Sequence, residues 1–195
     1  MILTIEGIDS AGKTTQVEML VKFLEEQGYS VYSFHFPNKQ GTFGKEIYRH
    51  FHGETTYSKE CLELLHTLDK MMMQEDLNNW KEHYDIVILD RYILTQLVYA
   101  TASGIPREWV ASLTSQMTVP DMGIVLDLPA KTARERRRNH DVYEKDLTFQ
   151  ETVRDNYRKE GRYFGYEIID AIKSPKEIHL EIKKILVTGG GLFVH

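Results

Sequence analysis

With 195 residues, 42% of them apolar, the chain is long enough for one well-filled core and short for two. A formal net charge of −5 weighs against a nonspecific nucleic-acid coat, and a single cysteine, Cys61, excludes an intrachain disulfide framework or a thiolate metal site within one chain. No run approaches the roughly 18 apolar residues of a membrane span and no basic, long-apolar leader opens the chain, so a cytoplasmic protein with no membrane association is expected.

Residues 2–5 read as a buried strand, and the stretch that follows them organises the rest. Gly7-Ile8-Asp9-Ser10-Ala11-Gly12-Lys13-Thr14 is a complete G-x-x-x-x-G-K-[ST] phosphate loop between that strand and an amphipathic helix over residues 13–26. The two glycines let the backbone curl so that amide N–H groups converge on phosphate oxygens, and the helix N-terminus adds its positive dipole end. Lys13 is expected to reach the outer phosphates and the Thr14 hydroxyl to sit on Mg2+.

Residues 30–36 form a β-rich run that Pro37 ends, and the helical crossover before it makes a βαβ unit of a largely parallel sheet. A loop over 38–43 precedes a short helix over 44–51. The longest helix is then expected from residue 57 to about 80, with Met71, Met72 and Met73 as core filler and the polar segment 76–84 surfacing. Residues 84–89 give a third strand with Asp90-Arg91-Tyr92 at its C-terminal end, where open α/β sheets bind ligands. Helices follow over 93–102 and from Pro106 to about 117, then a fourth strand over 122–126.

Pro129 opens a helix with Lys131, Arg134, Arg136, Arg137 and Arg138 against one acidic residue, Glu135. On a segment over the phosphate loop, such guanidinium groups would stabilise charge on a transferring phosphoryl group; the plainer alternative is a solvated helix face. A helix over 148–159, a connection loosened by Gly161 and Gly165, a fifth strand over 166–170 and a last helix over 174–187 complete one domain. Residues 188–195 are expected to fray as an extension.

Taken in order, the phosphate loop with Thr15-Gln16, Phe36-Pro37, Asp90-Arg91-Tyr92, Leu126-Asp127-Leu128-Pro129, Tyr143-Glu144 and Ile169-Asp170-Ala171 resemble the thymidylate kinase family of P-loop nucleoside monophosphate kinases up to about residue 187. The resemblance implies an α/β P-loop NTPase fold: a five-stranded parallel sheet with helices on both faces and an arginine-rich lid at about 131–147. It implies a homodimer that transfers a phosphoryl group from ATP, with Mg2+, to dTMP, giving dTDP. Carried across, Gly7, Ser10, Ala11, Gly12, Lys13, Thr14 and Thr15 cradle ATP, with Arg134 and Arg138 over it, and Thr14 and Asp90 lie on the Mg2+ side. Lys13, Asp9, Arg91 and Arg137 take the catalytic roles. Asp9, Phe36, Pro37, Arg91, Thr95, Tyr99, Tyr143 and Glu144 surround the acceptor.

Several positions depart from the family pattern. Ser10 stands where the eukaryotic type has an arginine, which moves the catalytic arginine to the lid. Lys39 replaces an arginine toward the acceptor phosphate. Lys70 and His66 stand where the long helix commonly has an arginine recognising thymine and a phenylalanine stacking on it, and Val142 replaces a lid arginine. Lysine lacks the planar donor fork of arginine, so these changes bear on which deoxynucleoside monophosphate is preferred. A deoxynucleoside kinase, or a nucleotide-binding regulatory protein with little turnover, are the rival readings.

Overall fold

Five short strands carry the architecture: β1 (Ile2–Glu6), β2 (Val31–His35), β3 (Ile86–Asp90), β4 (Met122–Asp127) and β5 (Glu167–Asp170). The computed structural model describes residues 1–136 and 146–189. Every pairing is parallel, in the order β2-β3-β1-β4-β5. All residues of β1 and β3 are buried, as the near-continuous apolar runs of a sheet covered on both faces require. Alternation then divides the side chains. Leu3, Ile5 and Ile88 join the core under α1 (Lys13–Glu26) and α9 (Pro175–Gly189), whereas Val87 and Leu89 pack with Leu77 of α4 (Gln74–His83).

The register levels the strand ends. Ile5 lies opposite both Asp90 and Ile124, and His35 lies opposite Asp90, so the loops after β1, β2 and β3 open on one edge. The remaining helices are α2 (Thr42–Phe51), α3 (Lys59–Met72), α5 (Ile93–Ala102), α6 (Arg107–Thr114), α7 (Ala130–Arg136) and α8 (Leu147–Tyr163).

The single long helix expected over 57–80 is two helices. Gln74 Nε2 donates to the Lys70 carbonyl at 2.9 Å, and the Met73 N–H closes a tight turn on the same oxygen at 3.2 Å, which ends α3 one residue before α4 begins. The turn drives Met73 inward while leaving Met71 and Met72 exposed, so only one of the three methionines fills core. The polar segment 76–84 also contributes to the core: Leu77 is fully buried, and Trp80 stacks 4.4 Å from Tyr32. Gly161, expected in a loop, lies inside α8, where a Cβ would stand 3.1 Å from Val125. Helix α9 continues past residue 187 to Gly189 and starts with a reciprocal cap, the Ser174 N–H donating to Glu177 at 2.9 Å.

One glycine ties the fold to the open edge of the sheet. A Cβ on Gly44 of α2 would lie 1.9 Å from the Asn38 carbonyl oxygen, and the Asn38 N–H is anchored to Asp69 Oδ2 at 3.0 Å. Gly44→Ala therefore has to push the 37–39 loop away. It is expected to cost about 1–3 kcal/mol, as overpacking does, and to raise the acceptor KM more than the ATP KM; chemical denaturation and steady-state kinetics check the two parts.

Candidate active site

The phosphate loop leaves β1 with Gly7 at φ 140°, Ser10 at φ 61° and Gly12 at φ 96°. Glycine is needed at position 7 because a Cβ there would meet the Leu126 carbonyl oxygen at 2.6 Å. Gly12 caps α1 without a side-chain hydrogen bond, so the first-turn N–H groups, those of Lys13, Thr14 and Thr15, receive no side-chain cap. The Lys13 ammonium is buried and held by the Ile8 carbonyl at 2.9 Å. Burial, with the Arg91 charge, pulls it down to about 8, against the pull of Asp9 and Asp90.

Asp90, at the end of β3, faces this loop. Its Oδ2 accepts from Thr14 Oγ1 at 3.0 Å and lies 3.3 Å from His35 Nδ1. Its Oδ1 is buried without a hydrogen-bond partner among the described residues. Burial opposes ionisation, but the His35 hydrogen bond and the Lys13 and Arg91 charges outweigh it and hold the carboxyl at about 2. A hydroxyl beside an ionised carboxylate with a spare oxygen suits a hard divalent cation that keeps phosphate and water ligands. Among the described residues no group of three His, Cys, Asp or Glu side chains gathers to hold a metal alone.

Arg91 occupies the left-handed region at φ 68° and turns its guanidinium back toward the loop. Nη1 donates to the Gly7 carbonyl at 3.1 Å and to Tyr157 Oη at 3.2 Å, and Nη2 pairs with Asp9. Burial opposes its charge, but Asp9, Tyr157, Tyr99 and Asp90 together outweigh it and hold the guanidinium well above the usual arginine range.

A cavity of about 300 Å³ opens beside this pair. Asp9, Phe36, Pro37, Lys39, His66, Lys70, Arg91, Thr95 and Tyr99, scattered from the first strand-loop junction to α5, all line it. Burial and the Lys70 and Arg91 charges hold His66 neutral, well below the ordinary histidine range. Lys70 is drawn down to about 8 by burial, against Asp69 and Glu63. Among the further lining residues that sequence reasoning did not single out for the site are Glu63, Gln96, Tyr48 and His35. A polar residue on a helix reads as solvent-facing, and only the packing of α3 against α5 turns Glu63 and Gln96 inward.

The basic segment divides. Arg134 stands exposed on α7 and is not among the residues lining the acceptor-side cavity, and Arg136 Nη2 is engaged with the Ala171 carbonyl at 3.0 Å. Arg137, Arg138, Val142, Tyr143 and Glu144 lie outside the described residues.

Beneath the site Glu6 is fully buried. It accepts from the Tyr92 N–H at 2.9 Å and from Thr95 Oγ1. Burial, against Thr95, Arg91, Tyr92 and Lys13, raises it to about 7 from an ordinary 4.5. Below pH 4.5 the carboxyl is neutral in both folded and unfolded chains. Between 4.5 and 7 the folded chain holds a proton that the unfolded chain has released, so its contribution to stability declines as pH rises. Glu6→Gln, which keeps the shape, is expected to gain up to about 3 kcal/mol relative to the parent across that window. Parallel denaturation at several pH values reads the difference, and a gap independent of pH would refute it.

The thymidylate kinase family model matches residues 5–182. The chain is 31% identical to a probable thymidylate kinase of Thermococcus kodakarensis, over 96% of this chain and 98% of that one. It is 33% identical to a probable thymidylate kinase of Pyrococcus abyssi, over 92% of each. In fold it is similar to the solved thymidylate kinase of Candida albicans, with a TM-score of 0.85 at 21% identity, over 97% of this chain and 92% of that one. The family model spans most of the chain and relatives above 30% identity align with it over nearly the whole length, so the chain that carries this phosphate loop and Asp-Arg pair belongs to the thymidylate kinase family.

Proposed function

We propose that this protein transfers the γ-phosphoryl group of ATP, bound with Mg2+, to the phosphate of dTMP, yielding ADP and dTDP. One observation carries the reading: the guanidinium of Arg91 is fixed against the Gly7 carbonyl of the phosphate loop while also lining the neighbouring cavity. A cation so placed suits an acceptor that is already a phosphate, rather than a sugar hydroxyl that would need a carboxylate base.

The residue roles follow from that geometry. The loop amides and Lys13 would hold the donor phosphates, and Arg91 with Lys39 would hold the acceptor phosphate. Asp9 orients Arg91 through their ion pair. Thr14 and Asp90 would hold Mg2+, which when bound neutralises charge on the phosphate oxygens. Phe36, Pro37, His66, Lys70, Thr95 and Tyr99 enclose the nucleoside and exclude water that would compete as acceptor. The rate then rests on positioning and charge stabilisation. Arg137, Arg138, Tyr143 and Glu144 are assigned to the lid by family resemblance.

We further propose a homodimer, supported by Leu64, Leu68, Met71 and Met72, which stand exposed at helical spacing along α3. Sedimentation at micromolar concentration reads this directly, and a monomeric mass refutes it.

The deciding experiment compares initial rates of Mg-ATP consumption with dTMP, dUMP, dCMP, dAMP and thymidine, each product identified by mass. Preferred dTDP formation is expected. Thymidine as sole acceptor would replace the reading with a deoxynucleoside kinase, and tight ATP binding with no acceptor-dependent turnover would replace it with a regulatory protein.

A further inference from the structure

Arg91, Tyr157, Thr95 and Glu6 form a hydrogen-bond chain that runs from the cavity wall down into the core. Arg91 Nη1 donates to Tyr157 Oη at 3.2 Å and, more distantly, to Thr95 Oγ1 at 3.4 Å. Tyr157 Oη and Thr95 Oγ1 lie 2.6 Å apart, and Thr95 Oγ1 donates to Glu6 Oε2 at 2.5 Å. Glu6 and Tyr157 are buried, so neither can trade these contacts for water.

Counting protons fixes the direction of the chain. An ionised carboxylate only accepts and a guanidinium only donates. Thr95 gives its single proton to Glu6, so at the 2.6 Å contact it must accept, and Tyr157 is the donor. The phenol oxygen, its own proton spent on Thr95, is left to accept from Arg91. The chain therefore closes only in the sense Arg91 to Tyr157 to Thr95 to Glu6. Burial raises the Tyr157 phenol well above its ordinary range, against the Arg91 charge, so this link stays a donor.

Tyr157 itself is not among the residues that line the cavity. It stands on α8, which is tied to α5 by Asn156 Nδ2, a donor to the Val98 carbonyl at 3.2 Å and to Thr101 Oγ1 at 3.1 Å. Its ring belongs to the apolar core and meets Tyr99 edge-on at 6.3 Å. Packing there asks only for a ring, and the chain accounts for the hydroxyl. We propose that Tyr157 is a positioning residue for the acceptor phosphate: anchored through Thr95 on the Glu6 carboxylate, it holds the Arg91 guanidinium in its acceptor-binding orientation. Without the phenol oxygen, Nη1 keeps the Gly7 carbonyl and the 3.4 Å contact to Thr95, and the planar fork is free to turn away from two-point contact with phosphate.

The assignment rests on the phosphoryl-transfer reading above, and its test separates the two. Initial rates with Mg-ATP and dTMP are measured above pH 7, where Glu6 is ionised, for the parent, Tyr157→Phe, Glu6→Gln, Arg91→Lys and the Tyr157→Phe, Arg91→Lys double variant. Tyr157→Phe is expected to raise the acceptor KM about tenfold, as loss of one hydrogen bond to a charged group does, with the ATP KM little changed. In Glu6→Gln the amide oxygen must take the Tyr92 N–H, so its NH2 donates into Thr95, reverses the chain and leaves the Tyr157 proton without an acceptor. This variant removes a buried charge and is not expected to lose stability, yet it is expected to raise the acceptor KM in the same way, which a purely structural role would not do. In the Arg91→Lys background, Tyr157→Phe is expected to change the acceptor KM by less than about twofold. An acceptor KM unchanged in Tyr157→Phe or in Glu6→Gln, or raised as much in the Arg91→Lys background as alone, overturns the positioning role and leaves the transferase reading standing. If the parent turns over no monophosphate, the transferase reading falls; calorimetric dTMP binding that Tyr157→Phe weakens would then still uphold the positioning of Arg91, and equal affinity, or no binding, would end it.

Discussion

Lys13→Met lowers kcat about a thousandfold with every acceptor while leaving the fold intact. Among the described residues the ammonium is the one cation seated inside the phosphate loop itself, bonded to the Ile8 carbonyl at 2.9 Å and buried. Its burial already draws it down to about 8, so the ligand-free chain holds this charge at a cost that bound phosphate oxygens would relieve. A donor fixed where charge develops in the transition state contributes on the order of 3–4 kcal/mol, which sets the thousandfold. Methionine keeps the apolar stem but removes the charge, and a buried charge removed from a ligand-free site does not by itself destabilise the chain. The expected pattern is therefore a collapse of kcat with an unchanged melting temperature. A kcat within tenfold of the parent would place the donor phosphates elsewhere.

The phosphate loop was legible because everything it needs is local: two glycines, one lysine and a threonine between a strand and a helix. The strands were legible for the same reason, as apolar runs bounded by Gly, Pro and Asp. What escaped the sequence depends on partners distant in the chain. The break between α3 and α4 arises because Gln74 turns back onto the Lys70 carbonyl while its oxygen receives the Thr118 N–H at 2.8 Å, a contact 44 residues away. Periodicity carries no trace of it. Met71 and Met72 are apolar by type, but the same turn leaves them outside. Glu63 and Gln96 are the opposite case, polar by type and buried by the crossing of two helices. Resemblance found Lys70 and His66 because a pattern marks those places; it had nothing to mark Glu63.

Arg91 is the residue on which the acceptor side turns, and two substitutions separate its charge from its shape. Arg91→Lys keeps the charge but cannot reach the Gly7 carbonyl, Tyr157 and Asp9 at once, because those contacts use both terminal nitrogens of a planar fork. It is expected to lower kcat/KM for dTMP about a hundredfold, chiefly through the acceptor KM, with the ATP KM changed little. Arg91→Ala removes the cation from among Asp9, Glu6 and Asp90, the three carboxylates whose charges it balances. Breaking a buried pair in this way costs about 3–5 kcal/mol, so the alanine variant is expected to lose stability as well as activity. Asp9→Asn distinguishes a structural pair from a functional one. If Asp9 acts by orienting Arg91, then Asp9→Asn and Arg91→Lys combined lower kcat/KM by much less than the product of their single effects. Independent, multiplying effects would mean that the two residues touch the acceptor separately. The left-handed backbone at Arg91 bears on the same question, since a strained turn is retained where it aims a side chain that the site requires.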